Sequence, residues 1–396
     1  MPNTILTATA VTREALRILH QNLNFIGSIN REYDDQYAKN GAKIGDTLKI
    51  RQPNRYTVGT GATITPQDTT ETSVDLKIQT QKHVPIKFGA AEMSLSLDDF
   101  SDRILKPAMS VLAANIEADV MSTVYKDVFQ SAWNGGSAHT LTRGAQGRTL
   151  LQRSLTPLSD RSACLNPQDM ADIVTAGSTI FNPQAEIAKQ YKDGYVGRQG
   201  GFDYLENTMW GAHTRGAANA AYTTNTTGLT AGQATMTVAT GAGAMNVGDV
   251  FTIAGLNSVH PETKTSTGIL QQFVVTAAYA GGAGTVSFAP AIYTTGALQN
   301  VVAASTSATA AIAFAGTLNT AVGTSLLYHK DAFTFATADL YLPKDTDFAA
   351  RESFDGVSMR IARQWDVTTD ALVTRLDVLY GFKTIRPELA VRLHNN

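Results

Sequence analysis

The stretch Thr223–Gly255, TTNTTGLTAGQATMTVATGAGAMNVGDVFTIAG, contains a single charged residue, Asp249. Short β-prone runs, Thr235–Val238 and Val250–Ile253, alternate in it with Gly-rich turns, and the same texture continues to Val322. Across residues 223–322 the charges are Asp249, Glu262 and Lys264, and two further β-prone runs follow, Phe273–Thr276 and Thr285–Phe288. Short runs at that spacing, bounded by glycine, predict a small antiparallel barrel or sandwich. The composition on both flanks is different. The economical description is a β-module set inside an otherwise continuous domain. Gly45–Ile50 and Gly248–Ile253 share a turn-into-strand form, too short a match to define an internal repeat.

On the N-terminal side, the strongest helical signal runs from Leu97 to about Phe129. Met109, Leu112, Ile116, Val120, Val124 and Val128 step by three and four, and Val111, Met121 and Tyr125 form a second apolar edge. Asp98 or Asp99 is the expected cap, Pro107 suits a first turn or a kink, and Asn134-Gly135-Gly136 is the expected stop. Such a helix spans roughly 35 Å, enough to lie across a sheet. Earlier, Leu16, Leu19, Leu23 and Ile26 predict an amphipathic helix from Thr12, its N-cap, to Ile29. Between the two helices, Leu48 and Ile50, then Val74, Leu76 and Ile78, then Val84, Ile86 and Phe88 alternate with polar residues. A Gly/Thr/Pro-rich tip, Gln52–Ser73, separates the first pair of strands. The pattern is a long hairpin reaching away from the body, useful to a subunit that overlaps its neighbours. Residues 137–222 mix short helices and strands around Pro157, Pro167 and Pro183, and a strand is expected near Leu372–Tyr380.

Charged residues make up 17% of the 396, with a formal net charge of −2, so no basic field advertises sequence-reading of nucleic acid. One cysteine, Cys164, excludes an intramolecular disulfide framework and a multi-cysteine zinc site; between Ala163 and Leu165 it reads as a small buried hydrophobe. Met1-Pro2-Asn3-Thr4 has no basic n-region, so no signal peptide is expected, and no apolar run is long enough for a membrane helix.

A search for chemistry returns little. The histidines at 20, 83, 139, 213, 260, 329 and 394 show no metal-ligand spacing. The glycines at 59–61 and 241–243 lack the third glycine of a dinucleotide loop and the Lys-Ser/Thr of a phosphate loop. Asp34-Asp35 and Asp98-Asp99 are sequence neighbours rather than carboxylates facing across a cleft. No cofactor and no catalytic residue is expected. Arg13 and Arg17 share one face of the first helix, either as a solvated face or as a contact to DNA or an acidic neighbour. Glu262 and Lys264 sit on the loop Asn257–Gly268, either simply solvated or docked on a neighbouring subunit. Arg55 and Tyr56, on the hairpin tip, complete the candidate inter-subunit contacts.

Several segments together resemble the P22-type phage coat proteins. They are Asn166-Pro167-Gln168-Asp169 after Ala163-Cys164-Leu165; Gly200-Gly201-Phe202-Asp203-Tyr204 after Gly197-Arg198-Gln199; Ala234–Val238 leading to Gly248–Gly255; and Leu379-Tyr380-Gly381 followed by Arg386-Pro387-Glu388. The resemblance implies an α+β chain with the HK97-like coat fold. It would comprise an N-terminal arm at 1–44, an extended β loop at 45–90, a discontinuous core of peripheral and axial domains at 91–222 and 323–396, and an inserted β-barrel domain at 223–322. It further implies hexamers and pentamers of this chain in an icosahedral shell, a scaffolding protein and a portal as partners, non-specific contact with packaged double-stranded DNA, and assembly in the host bacterial cytoplasm without a membrane. Covalent cross-linking is not part of that pattern. The alternative is a non-catalytic decoration, tail or adhesin-type binding protein whose working part is residues 223–322.

Overall fold

The computed structural model describes residues 8–31, 47–62, 66–69, 71–88, 101–133, 136–177, 196–225, 231–303, 309–343, 346, 348–354, 357–366 and 371–395. Asp34-Asp35, Asp98, Asp99, Asn134-Gly135 and Pro183, and residues 1–7 and 32–44 of the expected arm, lie outside the described residues. The chain forms two compact units: Met1–Ile50, Ser73–Met121 and Phe333–Ile385 in the first, and Arg51–Thr72, Ser122–Ala332 and Arg386–Asn396 in the second.

In the first unit, helices α1 (Ala8–Asn22) and α2 (Asn24–Ser28) replace the single helix expected from Thr12 to Ile29. Thr12 lies buried within α1 and is not its cap. The chain breaks at Leu23, whose φ of −91° and ψ of 92° are extended. Glu117 accounts for the break: its Oε1 accepts from the backbone N–H of Phe25 at 2.7 Å and of Ile26 at 3.4 Å. A distant carboxylate thus satisfies the orphan donors that open α2, as a local cap would.

Glu117 belongs to α3 (Lys106–Asp127), which follows a π-helical turn, Ser101–Leu105, and carries Pro107 in its first turn. Met109, Leu112, Ile116, Val120 and Val124 form its buried stripe. On the second edge Met121 is buried but Val111 is 57% exposed. The helix stops at Asp127, close to the expected end near Phe129, and Ser131–Trp133 beyond it pairs in parallel with Arg392–His394, so those residues are extended ahead of Asn134.

The long strand Ala371–Thr384 organises a five-stranded sheet with Phe333–Ala338, Val357–Asp366, Phe348–Phe354 and Thr80–Phe88. Asp377, fully buried on it, accepts from Arg360 Nη2 at 2.5 Å and Arg375 Nε at 2.5 Å, so its charge is matched where water is absent. The ribbon Thr47–Arg51 and Ser73–Lys77 packs Ile50, Leu76 and Ile78 on Leu379, Ala336 and Ala338. Gly381 permits that crossing: a Cβ there would lie 2.3 Å from the Lys77 carbonyl oxygen.

The second unit contains a sheet ordered Ser131–Trp133, Ala390–His394, Ala321–His329, Arg161–Leu165, Phe202–Glu206, Arg198–Gln199, with Ala212–Thr214 added to Ala321–His329. Helices α4 (Leu141–Arg153) and α5 (Pro167–Gly177) cover it through Leu151, Met170 and Ile173. The Asn166-Pro167-Gln168-Asp169 motif has a local cause: Asn166 Oδ1 accepts from the Asp169 N–H at 2.7 Å, capping α5, and Pro167 occupies the first helical position. Cys164 is buried in its strand.

The low-charge module closes on itself. Val250–Val259 pairs with Ser266–Val275, that strand with Gly284–Ile292, the next with Gln233–Ala239, and the last with Thr223–Thr224. The ring is completed because Ile312–Phe314 pairs with Val250–Val259 while Thr223 bridges Ala311 and the Ile312 N–H meets the Tyr222 carbonyl at 3.0 Å. A closed ring leaves no free strand edge along these pairings. Phe251, Phe273, Phe288 and Phe314 fill it, with ring centroids 5.3–6.0 Å apart. The expected module end at Val322 falls within Ala321–His329, a strand of the neighbouring sheet; the barrel's own residues stop at Phe314.

Candidate inter-subunit contact sites

The hairpin tip runs as two chain segments held by its own polar groups. The Gln52 N–H meets the Thr72 carbonyl at 2.8 Å, Arg51 pairs with Glu71 at 3.2 Å, and Thr57 and Gln67 exchange hydrogen bonds of 2.9 and 2.5 Å. Tyr56 is 57% and Val58 94% exposed. Arg55 reaches Glu388 Oε1 at 3.4 Å, and Arg386 Nε reaches the same oxygen at 3.2 Å.

Lys264 joins this group. Burial and, secondarily, the charge of Arg55 push its ammonium pKa down, and its Nζ donates to the Gln299 carbonyl at 3.3 Å. The turn that presents it is built by His260: the carbonyl accepts from the Lys264 N–H at 3.0 Å, and Nδ1 from Glu262 N–H at 3.3 Å and Thr263 N–H at 3.2 Å. Lys264 itself takes the left-handed region, φ 58°. Arg55 and Lys264, distant in sequence, are thus brought together, with Tyr56 and the exposed Glu262 beside them in the chain. Arg13 and Arg17 belong to α1, in the first unit, and are paired within the chain: Arg13 with Glu352 at 3.4 Å and Arg17 with Glu14 at 2.6 Å.

The second unit also holds a buried polar joint that sequence reasoning passed over. Asp249, 1% exposed, accepts at Oδ2 from the Asn246 N–H at 2.8 Å and the Gly216 N–H at 3.0 Å, and at Oδ1 from His213 Nε2 at 3.1 Å. A carboxylate only accepts, so Nε2 carries the proton; in the neutral ring Nδ1 then accepts from the Tyr125 hydroxyl at 3.3 Å. Burial raises the Tyr125 pKa. Arg392, fully buried, donates to the Gly248 carbonyl at 2.8 Å and lies 5.8 Å from the Tyr125 ring centroid. Burial brings its pKa down to about 10, against the pull of Tyr125 and Asp249. Arg215 donates to the carbonyls of Gly316 and Ala218. The chain enters the barrel through residues 213–218 and leaves it near Gly316, so these bonds tie both crossings to the C-terminal strand and the end of α3. Gly316 is required there: its φ is +92°, and a Cβ would fall 2.1 Å from Trp133. The sequence signal was the scarcity of charge around Asp249. Its burial, and its partners at positions 125, 213 and 392, were not visible.

Among the described residues no group of three or more His, Cys, Asp or Glu side chains is placed to hold a metal ion. No described helix is long and apolar enough to cross a membrane.

A two-stranded excursion, a separately closed barrel and surfaces of paired charges define a structural subunit, whose polar groups hold parts in place. Residues 45–394 match the family model described as P22 coat protein, gene protein 5, and the chain belongs to that family. It is therefore a major capsid protein of a tailed bacteriophage, non-enzymatic and of mixed α+β structure, forming the virion shell from copies of itself. The chain is also similar to solved structures: one from Mycobacterium phage Che8 (12% identity, 94% of this chain and 90% of that one, TM-score 0.48); the capsid of cyanophage P-SCSP1u (10%, 90% and 84%, 0.44); and a virus-like particle from Pyrococcus furiosus (8%, 97% and 97%, 0.39). No curated protein matches it.

Proposed function

We propose that this chain forms hexamers and pentamers of an icosahedral shell enclosing packaged double-stranded DNA, assembled in the host bacterial cytoplasm with a scaffolding protein and a portal. Residues 1–44 serve as the arm, 45–90 as the extended loop, 91–222 and 323–396 as the core, and 223–322 as the inserted domain. The observation that carries this finer reading is the loop tip: none of the described residues from 51 to 62 and from 66 to 72 is buried in its own chain. A strand pair with no core of its own gains its apolar contacts from another molecule. The separately closed barrel supports the insertion. With a formal net charge of −2, contact with DNA is non-specific and confined to local arginines. Arg13, Arg17, Arg55, Tyr56, Glu262 and Lys264 are the proposed subunit contacts.

Deleting residues 54–70 tests the loop's role. The expected product is a folded subunit by circular dichroism that yields no shells by electron microscopy. Normal shells from the deletion variant would overturn the assignment.

A further inference from the structure

The ion pair joining the hairpin tip to the C-terminal part of its own chain is Arg55–Glu388, at 3.4 Å with side chains 44% and 25% exposed. It is lightly held. Glu388 Oε1 also accepts from Arg386 at 3.2 Å, so releasing Arg55 strands no buried charge. Arg55 also sits near a like charge, Lys264, and shares the Glu388 carboxylate with Arg386. The tip keeps its own ladder through Gln52, Thr57, Gln67 and Thr72 whether or not that pair is made. At the same time Val58 and Tyr56 present apolar surface with no cover. An element with intact internal bonds, a weak tether and exposed apolar residues can leave its own chain and make the identical contact on another copy, because identical chains offer identical receptors.

We propose that the Arg55–Glu388 pair is exchanged on assembly: in the shell, Arg55 of one copy meets Glu388 of its neighbour, and the contact within one chain is the closed form of the free subunit. This rests on the shell reading above and names the second copy's receptor for the loop tip.

Charge reversal separates the two geometries. R55E and E388R are expressed singly, together as two chains in one cell, and combined in one chain, beside the unaltered protein, and shells are counted by sedimentation and electron microscopy. Each single variant is expected to yield at least about fivefold less shell, since one exposed pair is worth a factor of that order and its sign is inverted at every interface. Co-expression of the two singly reversed chains is expected to recover most of the yield, because only pairing between chains can match Glu at 55 with Arg at 388. Recovery in the doubly reversed chain but not in the mixture would place the contact within one chain and overturn the exchange, leaving the shell reading intact. Unaltered yield from both single variants would overturn it as well. Absence of shells from the unaltered protein in the same cells would count against the shell reading itself.

Discussion

Replacing Asp249 with alanine removes the acceptor on which the barrel's root converges. Three N–H donors, from Asn246, Gly216 and His213, lose their partner in a site 1% exposed. A hydrogen bond to a charged group is worth about 1.5–3 kcal/mol, and leaving a buried donor unpaired costs about 1–3 kcal/mol. Those figures overlap rather than add, because Arg215 and Arg392 keep their carbonyl partners at Gly316, Ala218 and Gly248. The expected loss is therefore about 3–4 kcal/mol, or a fall in Tm of roughly 10 °C for a unit of this size. D249N, which preserves shape but turns one acceptor into a donor facing two N–H groups, should lose about 2–3 kcal/mol. The assay is urea unfolding of the unassembled subunit followed by tryptophan fluorescence, since Trp133 lies 4.8 Å from His394 in the same joint. E262A, exposed on the same barrel, is the control and should change stability by less than about 0.5 kcal/mol. A D249A variant as stable as E262A would refute the view that this carboxylate holds the barrel's root together.

Other consequences can be checked alongside. Burial holds the imidazoles of His139, His329 and His394 below the usual histidine pKa, so they stay neutral when folded and protonate more readily when unfolded. Their contribution is complete above about pH 6.5 and declines as pH falls, by up to about 1.4 kcal/mol per pH unit for each; H394Q should flatten that slope between pH 7 and 5 in urea titrations. G381A places a methyl group 2.3 Å from the Lys77 carbonyl and should destabilise the first unit by about 2 kcal/mol or more, read by hydrogen exchange along Ala371–Thr384. Residues 218–316 expressed alone should melt in one cooperative transition by calorimetry, since their core is complete; a featureless melt would count against an independent barrel.

Much of the fold was legible because it follows from short-range pattern. Alternation at 47–51, 73–78 and 80–88 and the three–four stepping of Met109 to Val124 mark surfaces that must be covered, whatever covers them. The same logic failed where a distant group took over a local role. Thr12 looked like a cap, yet the helix begins at Ala8, and the second helical start is made by Glu117. The α3 helix ends at Asp127, near the expected Phe129, but the chain beyond it is held extended by the C-terminal strand before Asn134-Gly135-Gly136 is reached.

The contact residues divide along the same line. Charge scarcity alone singled out Glu262 and Lys264 in the loop between two strands, and the strands Val250–Val259 and Ser266–Val275 bracket them. That Arg55 lies near Lys264, and that Asp249 is a buried acceptor rather than a turn residue, depended on how the chain folds back over separations no periodicity encodes. Composition marked residues 223–322 as a stretch expected to pair strands, because a segment with three charges and frequent glycine turns satisfies its backbone that way. Only the tertiary structure decided that the module is a closed barrel ending at Phe314 and pinned at its root by Asp249, Arg215 and Arg392. Closure and charge burial are properties of groups that meet in space, and their order along the chain does not specify the meeting.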